Sequence, residues 1–348
     1  MAKKRCLMVG AGGMSASWIR WLHDHFGDRM TFAALVDVRK EALATSGDYI
    51  GLPDDHRFTR AEEAFEKVEA DFCGICTPPR FHEEAVMLAT ARGMDILSEK
   101  PIADTWEACE RICRAVRDSG VRMQVIQNYR YIPSILTFRQ TLRDGKLGRI
   151  NYIISRFAAD YREYGAWGAA FRHEIPHSLL VEGAVHHFDM IRYLSDSVCK
   201  TITGWEWNVP WSSFKGECQT LYVMRMANDV RASYEGSCNA AGMQNSWFRE
   251  YYRAECEAGA IVVDEDQIVR IYQHTPGAGV VMNELPAARP RYEGHEYIFN
   301  AWLDWLDGGE EPETVLADNI HSAAMLFAAV RASAGGEPVE VQAMVDEI

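Results

Sequence analysis

The chain has 348 residues, 48% of them hydrophobic and 25% charged, which is enough sequence for two domains with a core in each. Its 50 acidic residues against 36 basic ones leave a formal charge of −14, dispersed along the chain, and nothing in it could neutralise a run of nucleic-acid phosphates. No run of about 18 apolar residues occurs, and no small-residue cleavage site follows the basic start Met1-Ala2-Lys3-Lys4-Arg5, so the expectation is a cytoplasmic protein that does not enter a membrane.

The first third alternates short apolar runs with amphipathic ones. Strands are expected at 6–9, 32–36, 72–76 and 95–98. After the first strand and a glycine loop, Trp18, Ile19, Leu22 and Phe26 fall at helical spacing, with Gly27 where a C-cap belongs. Further helices are expected at 39–44, 61–66, 81–91 and 105–119. Strands alternating with helices predict right-handed βαβ units and a doubly wound parallel sheet. Cys73 and Cys76 stand three apart in an apolar strand and so face opposite sides, as core thiols rather than a redox pair. The nine cysteines, odd in number and without framework spacing, fit a reducing compartment.

From about Arg122 the rhythm changes. Strands are expected at 150–158, 201–209, 219–226, 230–237, 251–257 and 268–273, mostly separated by turns alone. Val230, Ala232 and Tyr234 alternate with Arg231, Ser233 and Glu235, the pattern of an antiparallel strand with one wet face. A helix-rich stretch, 171–194, interrupts them, and helices at 296–306 and 318–334 close the chain. The fold expected is α/β: an N-terminal doubly wound Rossmann domain over 1–124, then an α/β domain over 125–348 with a large, mostly antiparallel open sheet. The last helices are expected to pack back on the first domain.

Gly10-Ala11-Gly12-Gly13-Met14-Ser15 follows a strand and opens a helix, the context that a dinucleotide-binding loop requires. Gly10 permits the tight turn, and Gly12, with Gly13 and Met14, lets backbone N–H groups approach a pyrophosphate. Asp37 ends the next strand, where its carboxylate can bond a ribose 2′-hydroxyl and repel a 2′-phosphate. This favours NAD. Arg39 and Lys40 lie close enough to hold a 2′-phosphate, which leaves NADP open.

Cys76-Thr77-Pro78-Pro79 is followed by His82, then Ala85, Ala89 and Gly93, and then Glu99-Lys100-Pro101. This run of T-P-P-x-x-H, A-x-x-x-A-x-x-x-G and E-K-P resembles the glucose–fructose oxidoreductase/inositol dehydrogenase/rhizopine catabolism (Gfo/Idh/MocA) family. The likeness extends through Gln127-Asn128-Tyr129-Arg130-Tyr131 to the segment around His186. It implies that Lys100 lies beside the nicotinamide and contacts the reacting hydroxyl, where an ammonium would stabilise alkoxide character. It also implies that Glu99 contacts the nicotinamide ribose, that Thr77, Pro78 and His82 line the cofactor, and that Lys100–Pro101 is a cis bond.

The family pattern D-x-G-x-H-x-x-D corresponds here to Glu182-Gly183-Ala184-Val185-His186-His187-Phe188-Asp189, with Glu182 and Ala184 departing from it. In an α-helix Glu182, His186 and Asp189 would share an arc of about 80°. His186 is the natural general base, because imidazole titrates near neutrality. Glu182 would orient it or bond a second substrate hydroxyl, as would Asp189, or Asp189 would cap backbone; His187 points away and is structural. No third ligand has metal-site spacing, so no metal is expected. His177-Ser178-Leu179-Leu180-Val181 stands where relatives place small glycines, which reshapes the pocket wall. Trp167 could stack on a pyranose or pack in the core. Arg172 has a counterpart in relatives, and Tyr129 and Arg130 could reach the substrate or be structural.

These residues point to an oxidoreductase moving a hydride between a sugar or polyol hydroxyl and nicotinamide. An alternative is an NAD-dependent glycoside-processing enzyme working by transient ring oxidation and elimination. A third reading, a cofactor-sensing regulator, is disfavoured by intact Lys100 and His186. The resemblance implies a homodimer or homotetramer through the sheet at 201–273, where Tyr222, Met224 and Met226 either serve that contact or pack on the sheet's own helices.

Overall fold

The computed structural model describes residues 2–348, which divide into two compact units. The first comprises the residues to Ile126 together with His295–Ile320 and Ile348; the second comprises Gln127–Gly294 and His321–Glu347.

In the first unit, strands and helices alternate as their apolar spacing dictates: β1 (Lys4–Val9), α1 (Met14–Phe26), β2 (Met30–Val36), α2 (Lys40–Tyr49), β3 (Arg57–Phe58), α3 (Ala61–Lys67), β4 (Phe72–Ile75), α4 (His82–Ala91), β5 (Asp95–Ser98), α5 (Trp106–Ser119) and β6 (Met123–Val125). The sheet runs β3-β2-β1-β4-β5-β6 with every pairing parallel, so strand order reverses between β1 and β4. Such a switch point opens a crevice at the carboxyl ends of the two strands. Helix α1 buries Trp18, Ile19, Leu22 and Phe26, the stripe its spacing predicts. Gly27 closes it in right-handed rather than left-handed conformation. Helix α5 is capped at both ends, Thr105 Oγ1 accepting from the Ala108 N–H at 3.2 Å and Gly120 turning left-handed.

The second unit begins with α6 (Pro133–Arg143) and β7 (Ile150–Ala158) and reaches α7 (Val185–Ser195). The strands β8 (Cys199–Trp207), β9 (Gln219–Met226), β10 (Arg231–Ser237), β11 (Tyr251–Cys256), β12 (Gly259–Val263), β13 (Val269–Thr275) and β14 (Gly279–Leu285) follow. Helices α8 (Gly294–Leu306) and α9 (Leu316–Gly335), then β15 (Val339–Glu340) and α10 (Val341–Asp346), complete the chain. The nine-stranded sheet has the order β14-β13-β12-β11-β7-β10-β9-β8-β15 and is antiparallel except where β7 and β10 pair parallel.

One face of this sheet is dry and the other wet. Tyr222, Met224 and Met226 point inward and are buried, and the Tyr222 hydroxyl donates to the Ala329 carbonyl of α9 at 2.9 Å. Of the two roles open to these three residues, packing on the sheet's own helices is the one the fold uses. The outward positions of β9 carry Leu221 and Val223 and the neighbouring β8 carries Trp205, all exposed. Among the described residues no helix is long and apolar enough to cross a membrane.

The 171–194 stretch is not continuous α-helix. Leu180–Ala184 forms a π turn that feeds into α7. Because π bonding runs i→i+5, the register between Glu182 and His186 is not the α-helical one on which their common face was expected. Helix α7 is buried at all of its positions, so its polar residues must find partners inside the unit.

Trp302 anchors the first core: it is fully buried, with its ring 5.7 Å from that of Phe72 and 5.8 Å from that of Trp305. Trp302→Ala should cost about 3–5 kcal/mol. Guanidinium titration should show this as a lower midpoint with an unchanged slope.

Candidate active site

The glycine loop of the first unit sits at the switch point. Gly10 has φ +106°, and a Cβ there would lie 2.3 Å from the Cys76 carbonyl oxygen, so only glycine lets the loop pass the end of β4. Gly13 is the N-cap of α1 and no side chain caps it, which leaves the first-turn N–H groups facing outward from the helix end, as a diphosphate requires. Ser15, in the third glycine's place, donates from Oγ to the Gly12 carbonyl at 2.6 Å, and Ser46 Oγ ties Ala11 at 2.6 Å. Met14 is exposed beside this loop.

Asp37 Oδ2 accepts from the Ala11 N–H at 3.0 Å, and its Oδ1 accepts from the Arg39 N–H at 2.9 Å. The Arg39 guanidinium folds back onto the same carboxylate, with Nε 3.2 Å from Oδ1, and reaches over Gly12. Burial alone would push the Asp37 carboxyl up, but the bonds from Arg39 and Ala11 outweigh it and hold the group below its usual range. The carboxylate is therefore ionised just beyond the end of β2.

Thr77 and Pro78 follow β4, and Glu99 and Lys100 follow β5. The Thr77 hydroxyl is buried without a hydrogen-bond partner, a polar group placed for a ligand at this crevice. His82 is fully buried and lies behind the crevice rather than in it. Its Nε2 is 2.9 Å from the Thr77 carbonyl and its Nδ1 is 2.9 Å from the Pro101 carbonyl, so it clamps the two loops together. Burial pushes its pKa down against the pull of those carbonyls, and a neutral ring donates to only one of them. Glu99 is buried too. Burial pushes its carboxyl up, but His295, 3.6 Å from Oε1, and the Lys100 N–H, 3.0 Å from Oε2, bring it below the ordinary carboxylate range. Lys100 then begins a cis bond to Pro101.

The second unit holds His186. Its Nδ1 is 3.2 Å from Gln127 Oε1, and its ring stacks on Tyr129 at 4.4 Å between centroids and 8° between planes. An Nδ1 proton donated to that amide oxygen would leave the lone pair on Nε2. Tyr129 is buried, which drives its phenol well above its usual pKa, so it stays protonated. Glu182, also buried, accepts from Arg172 Nε at 2.9 Å, and Arg172 Nη1 donates to the Trp167 carbonyl at 3.0 Å. Trp167 is itself buried, stacked on Tyr161 and Trp247 at 5.6 Å each.

Arg130 and Asp189, both expected to reach substrate, are bonded to each other. Arg130 Nε and Nη2 meet the two carboxylate oxygens at 2.7 and 2.6 Å, and Ser322 donates to Oδ1 at 2.8 Å. With every oxygen of Asp189 so engaged, the pair positions its elements rather than presenting a charge to a ligand. His187 is structural, its Nδ1 2.7 Å from the Tyr234 hydroxyl. His295 and Ser322 carry no local motif, and only long-range packing brings them to these clusters. Cys73 and Cys76 are buried core thiols, pushed well above their usual pKa by desolvation.

Residues 4–127 match the family model described as "Oxidoreductase family, NAD-binding Rossmann fold", and residues 135–262 match the GFO/IDH/MocA C-terminal domain. "Uncharacterized protein y4oX" of Sinorhizobium fredii is 37% identical over 97% of this chain and 96% of its own. A D-apiose dehydrogenase of Paraburkholderia graminis is 23% identical over 98% of this chain and 90% of its own. Among solved structures, an oxidoreductase from Agrobacterium radiobacter in complex with NAD+, L-tartaric acid and magnesium superposes with a TM-score of 0.85. It is 20% identical, with 99% of this chain and 100% of that one covered.

The rewritten segment at 177–181 has a consequence outside these clusters. His177, Glu206 and Glu217 place one potential ligand atom each within 4.8 Å of one another, but their contacts form an ion pair. His177 Nδ1 lies 2.6 Å from Glu206 Oε1, and the His177 N–H donates to Glu217 Oε2 at 3.1 Å. The bond from Glu206 raises the imidazole's pKa against the effect of burial, and burial raises that of Glu206. Both groups bind protons more tightly folded than unfolded. The His177 contribution is therefore complete below histidine's ordinary value of about 6.5 and is lost as pH rises through its higher folded value, whereas that of Glu206 is complete only below the ordinary carboxylate range. Thermal melts across that window should show wild type losing more stability with rising pH than His177→Gln; parallel curves would contradict this.

Proposed function

Because the chain belongs to the Gfo/Idh/MocA family of NAD-binding oxidoreductases, we propose that it is a dehydrogenase acting on a hydroxyl of a sugar or polyol. The observation that carries this reading is the setting of His186: an imidazole held by Gln127 at Nδ1 and stacked on Tyr129, in a chain that also keeps Lys100 at the end of β5.

His186 Nε2 takes the proton of the substrate hydroxyl. To the Lys100 ammonium we assign the stabilisation of the charge that develops as the hydroxyl's carbon becomes a carbonyl. NAD, when bound, supplies the acceptor for the carbinol hydride. Gly10, Gly12, Gly13 and Met14 would hold its diphosphate, Asp37 its adenosine ribose, and Thr77, Pro78 and Glu99 its nicotinamide end. The ionised Asp37 favours NAD over NADP, since a 2′-phosphate would meet a negative charge there. Glu182, longer by a methylene than the aspartate of the family pattern, is held by Arg172, and the two form a wall on which further substrate hydroxyls can bond. That engagement also weighs against the glycoside-processing alternative, which needs Glu182 as an additional acid or base.

The D-apiose dehydrogenase among the relatives makes pentoses, with inositols, the first substrates to test. We place the enzyme in the cytoplasm, consistent with its unpaired cysteines, and as a homo-oligomer through the outward sheet face of Trp205, Leu221 and Val223. Light scattering of the purified protein checks the latter. On whichever sugar the wild type oxidises, His186→Ala should lower kcat by roughly 10²–10⁴ and remove the ionisation of the base from its pH profile, while Lys100→Met should lower kcat comparably. His186→Ala should leave NADH binding, followed by nicotinamide fluorescence, intact. Turnover that survives His186→Ala with an unchanged pH profile would remove the base assignment.

A further inference from the structure

A buried carboxylate oxygen stands idle beside the rewritten segment at 177–181. Glu206 lies on β8 with its side chain only 4% exposed. Its Oε1 meets His177 Nδ1 at 2.6 Å, but its Oε2 is buried and has no hydrogen-bond partner among the described residues. Leaving a buried carboxylate oxygen unpaired is costly, so an orphan of this kind points to a ligand. The same imidazole nitrogen lies 3.5 Å from a second carboxylate oxygen, Glu217 Oε2. Two carboxylates thus converge on one imidazole, whose single positive charge cannot balance both.

Backbone contacts hold the three groups together. The Glu206 N–H donates to Ser333 Oγ at 3.0 Å, which ties β8 to α9. A Cβ on Gly216 would lie 2.4 Å from the Ile175 carbonyl oxygen and 2.8 Å from Pro176 Cα, so only glycine lets the chain before Glu217 press against the chain before His177. The His177 N–H then donates to Glu217 Oε2 at 3.1 Å, and the Leu179 N–H reaches the Glu217 carbonyl at 3.4 Å. In the sequence His177 has no ligand partner at metal-site spacing; the fold supplies two, from 29 and 40 positions further on.

One potential ligand atom from each residue falls within 4.8 Å of the other two. Ligand atoms that share a zinc ion at about 2.0–2.2 Å stand roughly 3–3.5 Å apart, so the His177–Glu206 contact need open by less than about 1 Å. An imidazole nitrogen among carboxylates suits zinc, whereas magnesium and calcium take oxygen ligands. The His177 and Glu217 side chains are about one-third exposed, which gives an ion and its remaining water ligands a way in, and Glu206 forms the buried floor.

We infer that His177, Glu206 and Glu217 form a binding site for one zinc ion, and that the ion pair described above is the cation-free state of the same three groups. The divalent charge balances both carboxylates, and a Glu206 carboxylate that binds with both oxygens leaves neither idle. The ion fastens the segment that leads into the π turn at Leu180–Ala184 to β8 and to the loop before β9. The site is structural, and it stands or falls independently of the hydride-transfer reading.

The test is a calorimetric titration of the untagged full-length protein with Zn²⁺ after treatment with EDTA and dialysis. No substrate or nicotinamide is required. Wild type should bind one ion per chain with a Kd of roughly 1 μM or tighter, and its melting temperature should rise with added Zn²⁺. His177→Gln and Glu217→Gln should each weaken binding by about tenfold or more and lose that rise. Both side chains are partly exposed, so these variants carry the test if Glu206→Gln, which alters a buried group, folds poorly. Absence of binding to wild type overturns the inference, as does binding that either variant retains at wild-type strength. The dehydrogenase reading fails separately, through turnover that persists in His186→Ala.

Discussion

The second unit of this molecule depends on one buried ion pair. Arg130 and Asp189 have side chains 5% and 1% exposed, and they meet through two parallel hydrogen bonds. Removing two charges from water is expensive, and only bidentate geometry with a further donor, here Ser322, compensates for it. Such a pair contributes less to stability than to specificity: any other arrangement of its elements would strand a buried charge. It fastens the 3₁₀ turn at Asn128–Tyr131 to helix α7. The imidazole of His186, on that helix, stacks on Tyr129 of that turn, so its orientation follows from the ion pair.

The cofactor half is organised by a different constraint, the approach of backbone to backbone at the switch point. Gly10 must pass the Cys76 carbonyl at a distance no Cβ allows, and His82 ties the loop after β4 to the loop after β5. Once those loops are fixed, Thr77, Glu99 and Lys100 are set at strand ends. The same logic explains why Glu99 can be buried and still ionised: His295 and the Lys100 N–H provide what water would have provided. Each half therefore positions its reactive group by satisfying buried polar atoms.

How much of this is legible in the sequence divides along the range of the interactions. The glycine loop, Asp37 and Glu99-Lys100-Pro101 are short motifs whose chemistry is local, and the structure puts them at the strand ends their order implies. The alternation of β9 and β10 is likewise local, although which face of β9 meets helices is not, and Tyr222, Met224 and Met226 turn inward. Strands β6, β12 and β14 are too short or too exposed to stand out by periodicity. The π turn at Leu180–Ala184 leaves no mark in spacing, because one extra residue per turn changes no residue type. Arg130, Asp189 and Ser322 meet across as many as 133 positions. No pattern within a window reports such convergence.

The central claim is that the chain moves a hydride and keeps the sugar skeleton intact. Its most direct test is the appearance of NADH when the wild-type enzyme and NAD+ meet a panel of pentoses, inositols and aryl glycosides. The account predicts sustained NADH formation, with one carbonyl product formed for each NADH. Release of aglycone from a glycoside without net NADH would contradict it.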